Sequence, residues 1–72
     1  MTNNEKMEII ADILELELNE ITVESVLNDI ETWDSVAILS FIAVMNEEFN
    51  KYPMANEIKS YRTVGDLMKV ME

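Results

Sequence analysis

The chain has 72 residues, 49% of them apolar, with one glycine, one proline and neither cysteine nor histidine; this composition argues against disulfides, soft-metal sites and turn-rich β structure. The formal net charge of −10 argues against nucleic-acid backbones and anionic membranes as partners. No apolar stretch approaches the ~20 residues that cross a bilayer, so we expect a cytoplasmic, monomeric, all-α domain that covers residues 1–72.

The first predicted helix covers about residues 3–16. Thr2, followed three residues later by Glu5, has the form of a capping box. Beyond this start, acidic residues occupy one side of the helix, and apolar residues recur on the other side at helical spacing, at Met7, Ile10, Ala11 and Leu14.

Helical periodicity is lost from Glu17 to Trp33. Polar residues that bond to nearby backbone groups interrupt the apolar ones there, so we expect a long loop with one helical turn between Val23 and Leu27. A loop of this length in so small a domain is typically functional or packed down by its own side chains. The spaced apolar residues favour packing across the helices.

The most regular helical pattern follows Asp34 and covers residues 35–49. Aspartate is among the strongest N-caps. An inward-facing apolar stripe follows, at Ile38, Phe41, Ile42, Met45 and Phe49. Val36 and Leu39 are apolar but lie outside this stripe, so we expect them to be exposed, where apolar side chains suit protein docking.

Two shorter elements complete the chain. Residues 54–62 follow Pro53 and have enough apolar side chains for one or two helical turns. Thr63 and Asp66 repeat the capping-box pattern, which predicts a last helix over 64–71. The predicted fold is an antiparallel four-helix bundle with three main helices, a short third helix and a long loop between helices one and two.

Ser35 is the strongest candidate for chemistry. It lies in the first turn of the second helix, where free backbone amides and the positive end of the helix dipole favour an anion. A catalytic serine needs a nearby base, and the chain has no histidine, so we do not expect an enzyme. Asp-Ser is also a common helix start, and on the residues alone a purely structural role for the pair stays open.

The order of these features resembles the acyl carrier protein family. Trp33-Asp34-Ser35-Val36 opens an apolar helix that ends in Asn-Glu-Glu-Phe, and Thr-Val-Gly-Asp-Leu opens the last helix. The resemblance implies that Ser35 carries a 4′-phosphopantetheine arm, whose thiol holds acyl or aminoacyl groups as thioesters. It also implies that Asp34 helps to place metal-bound coenzyme A while a phosphopantetheinyl transferase adds the arm. Further implied partners are an acyl or aminoacyl ligase and a downstream acyltransferase or synthase.

The same resemblance places partner docking on the second helix, at Trp33, Val36, Leu39 and Ala43. Carriers of fatty acid synthesis typically have acidic residues on the exposed face of this helix, and Ala37 and Ser40 stand in such positions here. We therefore expect a specialised pathway, with aryl, aminoacyl or short-chain cargo as plausible as a growing fatty chain.

Two functions outside the carrier class stay open, and one alternative lies within it. The net charge and the apolar residues of the second helix also suit a non-catalytic acidic interaction module, for example one that mimics nucleic acid or occupies a basic protein groove. A small hydrolase that uses Ser35 is less favoured, because no base is available to activate the hydroxyl. A peptidyl or aminoacyl carrier is the alternative within the carrier class.

Overall fold

The computed structural model describes residues 1–72 and consists of helices without a β-strand. The α-helices are α1 (Asn3–Leu14), α2 (Ser35–Glu48), α3 (Ala55–Lys59) and α4 (Val64–Val70), and two 3-10 turns, Leu18–Glu20 and Leu27–Asp29, lie between α1 and α2. The predicted all-α fold with a short third helix is confirmed, and the helix ends differ from the predicted ones by at most three residues. None of these helices has the length and apolar character needed to cross a membrane.

The three longer helices each begin at a side-chain cap. Thr2 and Thr63 open α1 and α4 with complete capping boxes, and Asp34 caps α2. α1 ends where Glu15 adopts a left-handed conformation, with φ of 58°. These start signals lie within four consecutive residues, which is why the sequence alone indicates them.

Every helix contributes to one apolar core. The fourteen buried residues are all apolar, and no polar or charged residue is buried. Leu14 of α1, Phe41 of α2, Ile58 of α3 and Leu67 of α4 are each at most 1% exposed. α1 contacts both α2 and α4, and α2 contacts α3. Since a fully buried side chain of this size stabilises the fold by about 1.5–3 kcal/mol, this core fixes the positions at which α1 and α2 meet.

The long loop pairs with the start of α4 in an arrangement that we call the loop seam. Its backbone hydrogen bonds run from Leu27 N to Arg62 O (2.8 Å), from Val64 N to Ser25 O (3.0 Å) and from Gly65 N to Val23 O (2.9 Å). A Cβ at Gly65 would lie 3.0 Å from the Val23 carbonyl oxygen, so the close approach favours glycine. The helical turn expected near Val23 to Leu27 is found in two pieces: the Ser25 amide donates to the Thr22 carbonyl at 3.1 Å, and a 3-10 turn begins at Leu27.

Candidate functional site

Asp34 and Ser35 form the exposed corner at which α2 begins. Asp34 Oδ1 accepts a hydrogen bond from the Ala37 amide at 3.0 Å, and the Asp34 carbonyl accepts one from the Ile38 amide at 3.0 Å. Ser35 is the first helical residue and is exposed. The cap therefore holds the backbone on both sides of a hydroxyl that faces solvent.

The first amides of α2 are free to bind an anion. Those of Ser35 and Val36 donate no hydrogen bond within the protein, and the aligned peptides of α2 give this end a partial positive charge. Free amides alone do not define a site, because those of Asn3 and Asn4 at the start of α1 are also unpaired. α2 differs by presenting a hydroxyl at its first position, so a phosphodiester on Ser35 Oγ fits this corner.

Three apolar side chains of α2 follow Ser35 on the surface. Val36 is 70% exposed and Leu39 is 63% exposed, which confirms the exposure expected from the sequence, and Ala43 is exposed as well. Their spacing of i, i+3 and i+7 places them on one face of the helix. We call Val36, Leu39 and Ala43 the α2 surface. Trp33 is half-buried and packs against the core, unlike the exposed side chains of the α2 surface.

The position of Ala37 corrects an expectation from the sequence. Ala37 is only 3% exposed, because it lies one turn before buried Phe41 and shares the inner face of α2 with it. Ser40 is half-buried. The absence of an acidic side chain at position 37 therefore carries no information about the docking surface, and this part of the argument against fatty acid synthesis was wrong.

An open groove of about 500 Å³ lies between α1 and the start of α2. Asp12 and Glu15 line it from the end of α1, and Asp34 and Val36, the residues before and after Ser35 in the sequence, line it from the start of α2. Thr32 also lines it, and the Oγ1 atom of this threonine is buried without a hydrogen-bond partner.

No group of histidine, cysteine, aspartate or glutamate side chains is arranged to hold a metal ion. The sequence shows the carboxylates but not which face of α1 meets α2, so the groove was not predicted.

A helical domain with an exposed serine beside a capping aspartate, followed by an apolar surface, has the features of a covalently modified carrier. A family model described as a phosphopantetheine attachment site matches residues 7–71. The chain belongs to this family, whose domain is the site of covalent 4′-phosphopantetheine attachment. It is therefore a phosphopantetheine-bearing carrier protein, which implies partner enzymes such as transferases and synthases. No curated protein and no solved structure matches the chain.

Proposed function

We propose that Ser35 is the attachment residue and that the chain carries acyl or aminoacyl groups between enzymes of a specialised biosynthetic pathway. The observation that supports this most directly is the exposed Ser35 hydroxyl beside two unpaired amides at the start of α2. When bound, the arm supplies the thiol that forms thioesters, and the chain itself has no cysteine.

In this proposal Ser35 Oγ is the nucleophile of the loading step. It attacks a phosphorus of the coenzyme A diphosphate, so that an Oγ–P bond forms while the P–O bond to the nucleotide portion breaks. The nucleotide portion leaves with its phosphate, and the hydroxyl proton passes to a base. Because the chain has no histidine, we assign that base to the transferase. The resulting phosphodiester anion is favoured by the positive end of α2.

Asp34 and the α2 surface have separate tasks in the proposal. Asp34 fixes the first turn of α2 through its hydrogen bond from the Ala37 amide, and by resemblance to the family it helps to place metal-bound coenzyme A. The α2 surface, with Trp33 at its edge, docks the transferase, the ligase and the downstream acyltransferase or synthase. Removing exposed apolar area from water favours such contacts by about 25 cal/mol per Å².

Intact mass tests the attachment residue. The protein is incubated with coenzyme A, magnesium and a broad-specificity phosphopantetheinyl transferase, and we expect the mass to increase by one arm. Ser35→Ala should abolish the increase. Ser40→Ala removes a second hydroxyl from the same helix and should leave the increase intact. An increase that persists in Ser35→Ala, or none in the wild-type chain, would refute the assignment.

The charge and the exposed apolar residues also favour a second function, in which the same carrier binds a protein through its surface as an acidic interaction module, without use of the arm. The two functions predict different effects of Ser35→Ala on the affinity for a partner protein. In the module this variant binds as well as the wild type, whereas Val36→Asp or Leu39→Asp does not. In the thioester carrier, Val36→Asp and Leu39→Asp impair function as well, and Ser35→Ala abolishes every function that depends on the arm.

A further inference from the structure

Three apolar side chains hold the loop segment that leads into Ser35. Leu27 is fully buried, and Ile30 and Trp33 are half-buried and pack against the core. The Ile30 amide donates a hydrogen bond to the Leu27 carbonyl, and the Trp33 amide donates one to the Ile30 carbonyl, both at 3.0 Å. Successive bonds of this i→i+3 kind bring side chains three residues apart onto one side of the chain. We call Leu27, Ile30 and Trp33 the loop anchors.

The loop anchors connect the loop seam to the corner at which α2 begins. The first anchor is fixed by the bond from the Leu27 amide to the Arg62 carbonyl. The last anchor, Trp33, directly precedes the capping residue Asp34. Most of the residues between the anchors are exposed, namely Asn28, Asp29 and Glu31. The position of this segment therefore depends on the anchors.

We propose that Trp33 is a positioning residue for the loading step, in addition to its place in partner docking. The buried part of its ring holds the backbone directly before Asp34. This keeps the Asp34 carboxylate within reach of the Ala37 amide, at 3.0 Å, and fixes the direction in which Ser35 Oγ is presented to the transferase. The inference rests on attachment of the arm at Ser35 and adds a residue that acts through the backbone, without contact to coenzyme A.

The rate of loading should be sensitive to a small displacement of this corner. The attacking oxygen must lie close to the phosphorus and in line with the leaving group, and a displacement of about 1 Å can lower a rate by about 100-fold. Tryptophan is a large apolar side chain, and alanine at position 33 would leave this last part of the loop without its final anchor. The Asp34 side chain would then cap α2 from a less restrained backbone.

Single-turnover kinetics separate positioning from docking. The protein is mixed with coenzyme A, magnesium and an excess of transferase over carrier, and intact mass follows loading. The rate constant at saturating transferase reports the transfer step, and the transferase concentration that gives half of it reports docking. Phe49→Ala is the matched control for Trp33→Ala, because it truncates another half-buried aromatic side chain that packs against the core, at the C-terminal end of α2. Circular dichroism verifies that each variant is folded at the assay temperature.

Trp33→Ala should lower the saturating rate constant by about 10-fold or more, whereas Phe49→Ala should leave it within about twofold of the wild type. Trp33→Phe retains an aromatic ring and should recover most of the loss. If the alanine variant does not fold, Trp33→Leu replaces it and should show a smaller decrease in the same constant. An unchanged rate constant, an effect confined to the half-saturating concentration, or an equal loss in Phe49→Ala would overturn the positioning role.

The Ala37 amide gives a second readout that does not depend on loading. Its chemical shift in ¹⁵N–¹H correlation spectra reports its hydrogen bond to Asp34, and Asp34→Ala provides the shift without that bond. Trp33→Ala should move the Ala37 signal toward this position, and Phe49→Ala should not. A signal that stays in place would overturn the positioning role while attachment at Ser35 stands. Failure of the wild-type chain to gain the mass of the arm would instead overturn attachment and the inference that rests on it.

Discussion

The starts of α2 and α4 use the same kind of side-chain cap but differ in what remains free. At α4, Thr63 and Asp66 form a complete capping box, and the next two amides donate to the Ser25 and Val23 carbonyls of the loop seam. At α2, Asp34 binds one amide and the amides of Ser35 and Val36 stay unpaired.

The difference shows how one local device serves structure in one place and function in another. The start of α4 has its donors satisfied and anchors the long loop, so it stabilises the fold. The start of α2 leaves donors free beside an exposed hydroxyl, so it can accept a phosphodiester. Substitutions at α4 should therefore change stability alone, whereas those at α2 should change modification as well.

The largest stability effect is expected where the loop seam enters the core. Leu27 is fully buried, and its amide donates to the Arg62 carbonyl at 2.8 Å. Leu27→Ala should lower the free energy of unfolding by about 2–5 kcal/mol, because it leaves a cavity. Urea unfolding followed by circular dichroism measures the change. Val23→Ala is the control, at a seam residue that is 51% exposed, and should lower the free energy of unfolding by at most about 0.5 kcal/mol. If both variants lower it equally, Leu27 does not anchor the seam.

The two caps themselves provide the sharpest comparison. Asp34→Ala and Thr63→Ala should each destabilise the fold by about 1 kcal/mol, since each removes a side-chain acceptor from the first turn of a helix. Only Asp34→Ala should also slow transfer of phosphopantetheine, measured as the initial rate of mass increase. If Thr63→Ala slows the transfer equally, the rate depends on general stability and not on the cap beside Ser35.

The sequence predicts the parts of this comparison that depend on neighbouring residues. Asp34, Thr63 and Asp66 are recognisable as caps because their hydrogen bonds span three residues. Exposure of Val36 and Leu39 follows from the position of the inward stripe.

Features that depend on contacts between distant segments were missed or misplaced. The loop seam joins residues 23–27 to residues 62–65, and no periodicity indicates that pairing. The sequence does not show that Ala37 is buried, because the width of the buried face of α2 depends on how α1 packs against it. The groove depends on the same packing, since Asp12 and Glu15 reach the neighbourhood of Ser35 only when α1 and α2 meet.

A negative charge introduced on the α2 surface should weaken recognition by the transferase much more than it changes the free energy of unfolding. Val36 and Leu39 are 70% and 63% exposed, so replacing either with aspartate should change the free energy of unfolding by about 0.5 kcal/mol or less. The same substitutions should weaken the interaction with the transferase, measured as an increase in its KM for the carrier. Ser60→Asp changes charge at an exposed position outside the α2 surface and is the control. An unchanged KM in both α2 variants would exclude this surface from transferase docking.

The smallest expected effect concerns the pH dependence of the α4 cap. Asp66 accepts hydrogen bonds from the Arg62 and Thr63 amides at 3.0 and 3.1 Å, and these bonds hold the pKa of its carboxyl below the ordinary value of 3.8. Because the pKa is lower in the folded state, the stabilisation is present above the unfolded value and is lost as the pH falls through the folded one. Asp66→Asn should therefore show a smaller drop in Tm between about pH 6 and about pH 3 than the wild type. Glu47→Gln is the control: it removes an exposed carboxylate from α2 and should show the same decrease in Tm as the wild type. If Asp66→Asn also shows the wild-type decrease, the α4 cap does not contribute to acid sensitivity.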